Sequence, residues 1–323
     1  MHILNLKTKQ ISKNINEVNF NEDYNFIVCN PWELKFFKDK INLDRSTYKD
    51  CLSFDDQVRV EVLDEYIYFT LNNFHIIEDG TLTLEEINIF LSEKYIILVL
   101  RNKNNIFDKL KSLINETFYY KSNLTLSLLI LYSSILRIII RSQFENLEKV
   151  EEIILQLEDQ IINGVDDHMS AKISSIRGIS RTCVKAIRPL TYYIDTLLKD
   201  GMEFFAKYNN HGLYLEEEYR KLLEGLDLSI DKLYTFSLST RELSDKLLDI
   251  YTSMVSEKTN NLINKLTFFT GTAVPVSIIT GVYGMNFKYM PELNYVYSYP
   301  IIIFIIVSIM VVAFIMFKKN KFL

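Results

Sequence analysis

The chain has 323 residues, 48% of them hydrophobic and 24% charged, with a net charge of −5. Its 21 Phe and 20 Tyr supply too much core material for an intrinsically disordered chain, and its length allows two ordinary domains or one domain plus a membrane anchor. Residues 266–323 carry Lys288, Glu292, Lys318, Lys319 and Lys321, a net +3, which leaves −8 for the rest, the wrong sign for a nucleic-acid-binding face.

The first ten residues, MHILNLKTKQ, hold no apolar run, so no cleavable signal peptide is expected. Cys29, Cys51 and Cys183 are widely spaced and suggest neither a disulfide framework nor a zinc site. His2, His75, His168 and His211 are scattered, and each reads as a surface or packing residue, because metal ligands come in clusters. Residues 1–104 read as a cytoplasmic α/β domain, a small mixed sheet with a few helices. Val58–Val62 alternates, while Tyr66–Phe74, Leu84–Leu91 and Tyr95–Leu100 are rich in strand formers, with a turn at Glu78-Asp79-Gly80. Trp32, following Pro31, is expected in the core. Residues 105–225 read as helical. Asn105–Tyr120 has helical spacing, and Asn123–Ile162 runs without Pro or Gly and grows acidic towards its end. After a turn at 163–167 comes Met169–Phe205, interrupted by Gly178, Pro189 and Gly201. Two long antiparallel helices with an acidic tip fit this pattern. Ser122–Leu136 is apolar but bounded by Lys121 and Arg137, too short for a membrane span, and reads as a buried core helix.

From Leu226 to Thr270 no Gly or Pro occurs, so a rod of about 67 Å is permitted. Its acids, Glu224, Asp227, Asp231, Glu242, Asp245 and Asp249, read individually as a solvated face. The rod would run into the first of two apolar stretches. Leu266–Phe287 and Leu293–Phe317 are uncharged, and each is long enough to cross a hydrocarbon core of about 30 Å. The resulting division is a stalk helix continuing into a first transmembrane helix (226–287), an external loop (288–299), a second transmembrane helix (300–317) and a basic tail (318–323). Lys258 and Lys265 before the first span, and the tail lysines after the second, place both termini in the cytoplasm of a cell membrane protein. The second span is lipid-like on all sides. The first carries a stripe in which Asn260, Ile263, Thr267, Thr270, Val274, Ser277 and Gly281 step by three and four and share one face. A packing seam and a pore lining are both readings of that stripe.

At the end of the first span stands Tyr283-Gly284-Met285-Asn286-Phe287, followed by Lys288-Tyr289-Met290-Pro291-Glu292-Leu293. With two C-terminal spans, a lysine-rich tail and the segment "VKAIRPLTYYI" holding Arg188 and Pro189, this resembles the CorA family of divalent-cation channels. The resemblance implies a funnel-shaped homopentamer in the lipid bilayer, with the first membrane helix lining one pore and the second outside it. Gly284, Met285 and Asn286 would form the selectivity filter, and Ile263, Leu266 and Val274 an apolar constriction with Thr270 as a small residue beside it. Ile263 and Val274 stand where the family often has Met. The implied substrate is Mg2+, with Co2+ or Ni2+ also carried, and cytoplasmic Mg2+ as a regulatory ligand. Glu224 and Asp227 are candidates for that regulatory site.

Magnesium parts with its waters reluctantly, so carboxylates that stripped it would also hold it too long. Neutral oxygens from Asn286 and the backbone near Gly284 would instead accept hydrogen bonds from the ion's waters. A zinc carrier of the same superfamily and a membrane-anchored signalling protein are the alternatives. No nucleotide loop, nucleophile motif or His/Glu metal cluster suggests an enzyme.

Overall fold

The computed structural model describes residues 1–15, 18–20, 22–53, 58–77, 80–101, 124–164, 166, 168–201, 203–205 and 212–319. The helix expected over Asn105–Tyr120 lies outside the described residues, as do Glu78 and Asp79 of the expected turn.

One seven-stranded sheet is built from β1 (His2–Asn5), β2 (Ile11–Ser12), β3 (Asn25–Cys29), β4 (Val60–Val62), β5 (Ile67–Ile76), β6 (Leu82–Leu91) and β7 (Tyr95–Leu100). The order is β2-β1-β3-β7-β6-β5-β4, and β3 and β7 form the single parallel pair among these neighbours. The sheet is therefore larger than the four strands expected from sequence. β1 and β2 are too short to show a period, and every residue of β3 is buried. A strand covered on both faces shows a continuous apolar run rather than alternation.

On one face, Ile27, Cys29, Tyr68, Phe90, Ile97 and Val99 pack with Leu34, Phe37, Ile41 and Cys51, the last from helix α1 (Arg45–Ser53). On the other face, the Phe69 ring meets Tyr132 at 5.5 Å and Tyr193 at 4.7 Å. Those tyrosines belong to α2 (Leu124–Asn163) and α3 (Met169–Thr196). Both helices cover one strand residue and meet near Gly164, so they run antiparallel. Gly164 stops α2 with a φ of +156°, and its amide donates to the carbonyls of Gln160 and Ile161. α3 continues through Gly178 and Pro189 rather than breaking there, and ends in a π turn at Leu197–Gly201.

Trp32 is a correction: it is 70% exposed, and the buried residues around it are Pro31 and Leu34. The turn after β3 seats those two inward and leaves the indole between them facing out. The three cysteines are buried free thiols. Burial pushes the Cys51 and Cys183 thiols up to about 12, so neither offers a thiolate at neutral pH.

Helix α4 (Gly212–Tyr283) is continuous for 72 residues. It starts fourteen residues before the expected Leu226 because Gly225 does not break it. A Cβ at Gly225 would stand 3.3 Å from Arg137 Nη2, so the glycine admits that guanidinium against the helix. Further on, Phe144 stacks on Phe236 with centroids 6.0 Å apart, and Arg177 Nε donates to Asp245 Oδ1 at 2.8 Å.

The chain forms two compact units, Met1–Glu158 with Ser170–Leu247, and Asp159–Met169 with Leu248–Leu323. In the second unit, the end of α4 pairs with α5 (Ser298–Lys319) through Phe268 and Phe317, whose centroids lie 5.0 Å apart. Among the described residues, three helices are long and apolar enough to cross a membrane. In Ser127–Asn163 the apolar stretch is 61% buried, whereas in Glu217–Tyr283 and Ser298–Lys319 it is 0% buried. The first satisfies its apolar face against protein, as expected for the stretch around Ser122–Leu136; the other two do not.

Removing Phe69, which is fully buried between two tyrosines, is expected to cost about 3–5 kcal/mol. Trp32→Ala is expected to change stability by less than about 0.5 kcal/mol. Thermal unfolding of the detergent-solubilised protein, followed for each variant, checks both values.

Candidate functional site

The apolar end of α4 has two distinct sides. The residues of the stripe read from sequence, Asn260, Ile263, Thr267, Thr270, Val274, Ser277 and Gly281, are all exposed, as is Leu266 of the expected constriction. At about 100° per residue they occupy an arc of roughly 120°. The half-buried residues of the same stretch are Asn264, Phe268, Thr272, Pro275, Val276 and Ile279. Their arc is centred on the opposite side, and Phe268 within it carries the contact to α5. The stripe thus faces away from the neighbouring apolar helix of its own chain.

The hydroxyls bond back along the helix. Thr267 Oγ1 donates to the Ile263 carbonyl at 2.8 Å, Thr270 Oγ1 to Leu266 at 2.9 Å and Thr280 Oγ1 to Val276 at 3.0 Å. With its proton committed, each hydroxyl presents only lone pairs outward. Pro275 lacks an amide proton, and its ring falls over the carbonyl of residue 271. A glycine stands there, with nothing within 4 Å of a built Cβ, and the helix passes through unbroken.

α4 ends at Tyr283, four residues short of the uncharged stretch. The Gly284 amide donates to the Thr280 carbonyl at 2.9 Å and the Gly281 carbonyl at 3.2 Å, and the Met285 amide to Val282 at 3.3 Å. A Cβ on Gly284 would sit 3.1 Å from the Thr280 oxygen. Its φ is not among the positive ones, so what requires glycine here is close approach, not an unusual dihedral. Those two amides cap the helix, and Asn286 does not. Its side chain is exposed and has no hydrogen-bond partner among the described residues. Met285 and Phe287 beside it are more than half exposed.

The connection to α5 holds a short 3-10 turn, Pro291–Asn294, and the Ser298 hydroxyl donates back to the Glu292 carbonyl. Tyr289, Tyr295, Tyr297 and Tyr299 are all at least 72% exposed. Aromatic residues flanking apolar spans match the membrane–water interface. Reading for charge alone passed over them, although four tyrosines in eleven residues were visible.

Of the two acids proposed from sequence, Glu224 is exposed and Asp227 half-buried. Burial, then Asp231, then Asp195 of α3 hold the Asp227 carboxyl above the ordinary carboxylate range. The structure therefore groups Asp227 with Asp195, a partner from another helix that no sequence spacing could indicate. Among the described residues, no set of three His, Cys, Asp or Glu side chains converges as a metal cage.

The sequence profile of CorA-like Mg2+ transporter proteins matches residues 23–319. The chain is 26% identical over 278 residues to the cobalt/magnesium transport protein CorA of Thermotoga maritima, covering 85% of this chain and 75% of the relative. It is 24% identical over 315 residues to the cobalt/magnesium transport protein CorA of Methanocaldococcus jannaschii, covering 96% and 95%. The complete structure of the CorA magnesium transporter from Methanocaldococcus jannaschii superposes with a TM-score of 0.77 at 22% identity, covering 100% of this chain and 98% of that one. This shares the mixed-sheet domain and the long helices.

Gly284→Ala is expected to loosen the helix end, because overpacking a tight site costs about 1–3 kcal/mol. Hydrogen exchange at the amides of residues 284 and 285 should accelerate in that variant. Gly271→Ala, with open space around the position, should leave those amides unchanged.

Proposed function

The chain belongs to the CorA-like Mg2+ transporter family and is a divalent-cation transporter rather than an enzyme, and from that premise we propose a magnesium channel that also passes cobalt or nickel. In this reading five copies surround one pore. The exposed stripe from Asn260 to Gly281 lines it, α5 lies outside in the lipid, and Gly284, Met285 and Asn286 ring the outer mouth.

The observation that carries the reading is the chemistry of that stripe and its end. The stripe has no acid, its threonine hydroxyls are committed to act as acceptors, and it leads to an amide with no hydrogen-bond partner among the described residues. A hydrated Mg2+ ion presents water hydrogens outward, at the surface of an octahedral shell that is lost reluctantly. Lone pairs of Thr267 and Thr270, and the Asn286 carbonyl, accept those hydrogens without displacing the waters. Ile263, Leu266 and Val274, each more than half exposed on the stripe, would form an apolar constriction that closes by dewetting. An inside-negative potential drives entry by about 2.3 kcal/mol per charge per 100 mV.

For regulation, we infer that Asp227 takes part in sensing cytoplasmic magnesium. Its carboxylate is desolvated and repelled by Asp231 and Asp195, and a divalent cation relieves that repulsion. Glu224, which is exposed, is the weaker candidate.

Two outcomes are expected. In proteoliposomes loaded with a magnesium-sensitive dye, wild type under an inside-negative potential should take up Mg2+ rapidly, and Asn286→Ala should lose most of that flux. Uptake of zinc alone would favour the zinc carrier, and a wild type that passes no Mg2+, Co2+ or Zn2+ would sink the channel reading. For Asp227, the folded state binds the proton more tightly than the unfolded chain. Its contribution to stability is thus full below the ordinary carboxylate range and lost as pH rises through the raised value. Asp227→Asn should raise the thermal midpoint at neutral pH in low magnesium, and the gain should vanish in acid.

A further inference from the structure

We propose that His75, Glu85 and Asn73 form a binding site for a transition-metal dication, of the Co2+, Ni2+ or Zn2+ class, on the β5–β6 ribbon. Asn73 stands directly opposite Glu85 in the ladder, and His75 lies two residues along β5. Side chains alternate along a strand, so all three project from one face. His75 Nε2 lies 3.0 Å from Asn73 Nδ2 and 3.6 Å from Glu85 Oε2. Ligand atoms bonded to one such metal at about 2.1 Å lie roughly 3.0–3.5 Å apart for right-angle to tetrahedral geometry; the Asn73 separation falls within that span and the Glu85 separation just beyond it, within reach of a small side-chain rotation.

The second observation concerns unmet acceptors. Asn73 is 1% exposed, yet among the described residues its Oδ1 has no hydrogen-bond partner, and neither does the buried Oε1 of Glu85. Buried acceptors left unpaired cost about 1–3 kcal/mol each, and such groups call for an ion, water or function. The two ends of an amide are assigned by hydrogen bonding. Turning the Asn73 amide over exchanges its two ends, so that Oδ1 stands beside Nε2 and Nδ2 takes the place Oδ1 held, and this completes an N,O,O donor set. With three protein ligands, one of them charged, water would fill the remaining positions.

An imidazole nitrogen selects Co2+, Ni2+ and Zn2+ against Mg2+, which takes oxygen ligands. His75 is part-exposed, which leaves a route for the ion. The backbone around the ligands is held in place by α2. The Ile76 amide donates to Asn146 Oδ1 at 3.0 Å, and Gln143 Nε2 donates to the Asn72 carbonyl at 2.9 Å. Fixed backbone on both sides pre-organises the first ligands.

The test is equilibrium dialysis of the full-length, detergent-solubilised protein against Co2+ in excess Mg2+, which occupies oxygen-only sites. Wild type should retain roughly one Co2+ per chain, and His75→Ala and Glu85→Gln should bind it at least about tenfold more weakly. Thr83→Ala, on the neighbouring strand, should bind as wild type does. On wild type alone, Co2+ should protect His75 from diethyl pyrocarbonate, read by peptide mass spectrometry. His75 modified equally with and without Co2+, or both variants retaining the metal like wild type, would overturn the site.

Discussion

A backbone in hydrocarbon has to satisfy its own hydrogen bonds, and the second unit is organised by that requirement. Along Leu266–Tyr283 the peptide groups bond within the helix, and the threonine hydroxyls spend their protons on carbonyls of the preceding turn. Pro275 lacks an amide proton, and the helix passes through it unbroken. When the ladder stops at Tyr283, the amides of Gly284 and Met285 take the last carbonyls. Asn286 is thereby left with its side chain uncommitted. The place of the Gly-Met-Asn segment follows from where the helix can end.

The charges are kept off this surface and concentrated elsewhere, and they are not equivalent. Asp245 is held by Arg177 at 2.8 Å, with Arg181 and Arg241 at 3.8 and 3.9 Å, so it is neutralised within its own chain. Asp227 has acids for neighbours. A carboxylate already surrounded by guanidinium groups gains little from a dication, whereas one repelled by two others gains more. In the proposed channel, conduction uses neutral oxygens that hold an ion weakly, and sensing uses desolvated acids that hold it longer.

Legibility in the sequence tracked the strength of the local signal. β7 was found with its bounds, since Tyr95–Leu100 is a continuous run of strand formers, and β6 within two residues. β3 was missed because burial on both faces erases alternation. Gly178, Pro189 and Gly225 were read as breaks, yet helices run through all three. Burial of α3 through Ile176, Ser180, Leu190 and Tyr193, and Arg137 against Gly225, outweighed local propensity. Trp32 was assigned to the core on residue type, but the turn after β3 directs it outward.

Sequence by itself determined the class. Two uncharged stretches at the C-terminus, a stripe at helical spacing and the Gly-Met-Asn segment are local patterns, and local patterns survive without coordinates. Tertiary structure decided which side of α4 meets α5, because that depends on Phe268 finding Phe317 across 49 residues of chain. It also decided that Asp227 has Asp195 beside it, and that His75, one of the scattered histidines that read as surface or packing residues, stands against Glu85 across a strand pair. Each of these is a contact between residues whose sequence separation follows no period, and only the folded chain brings them together.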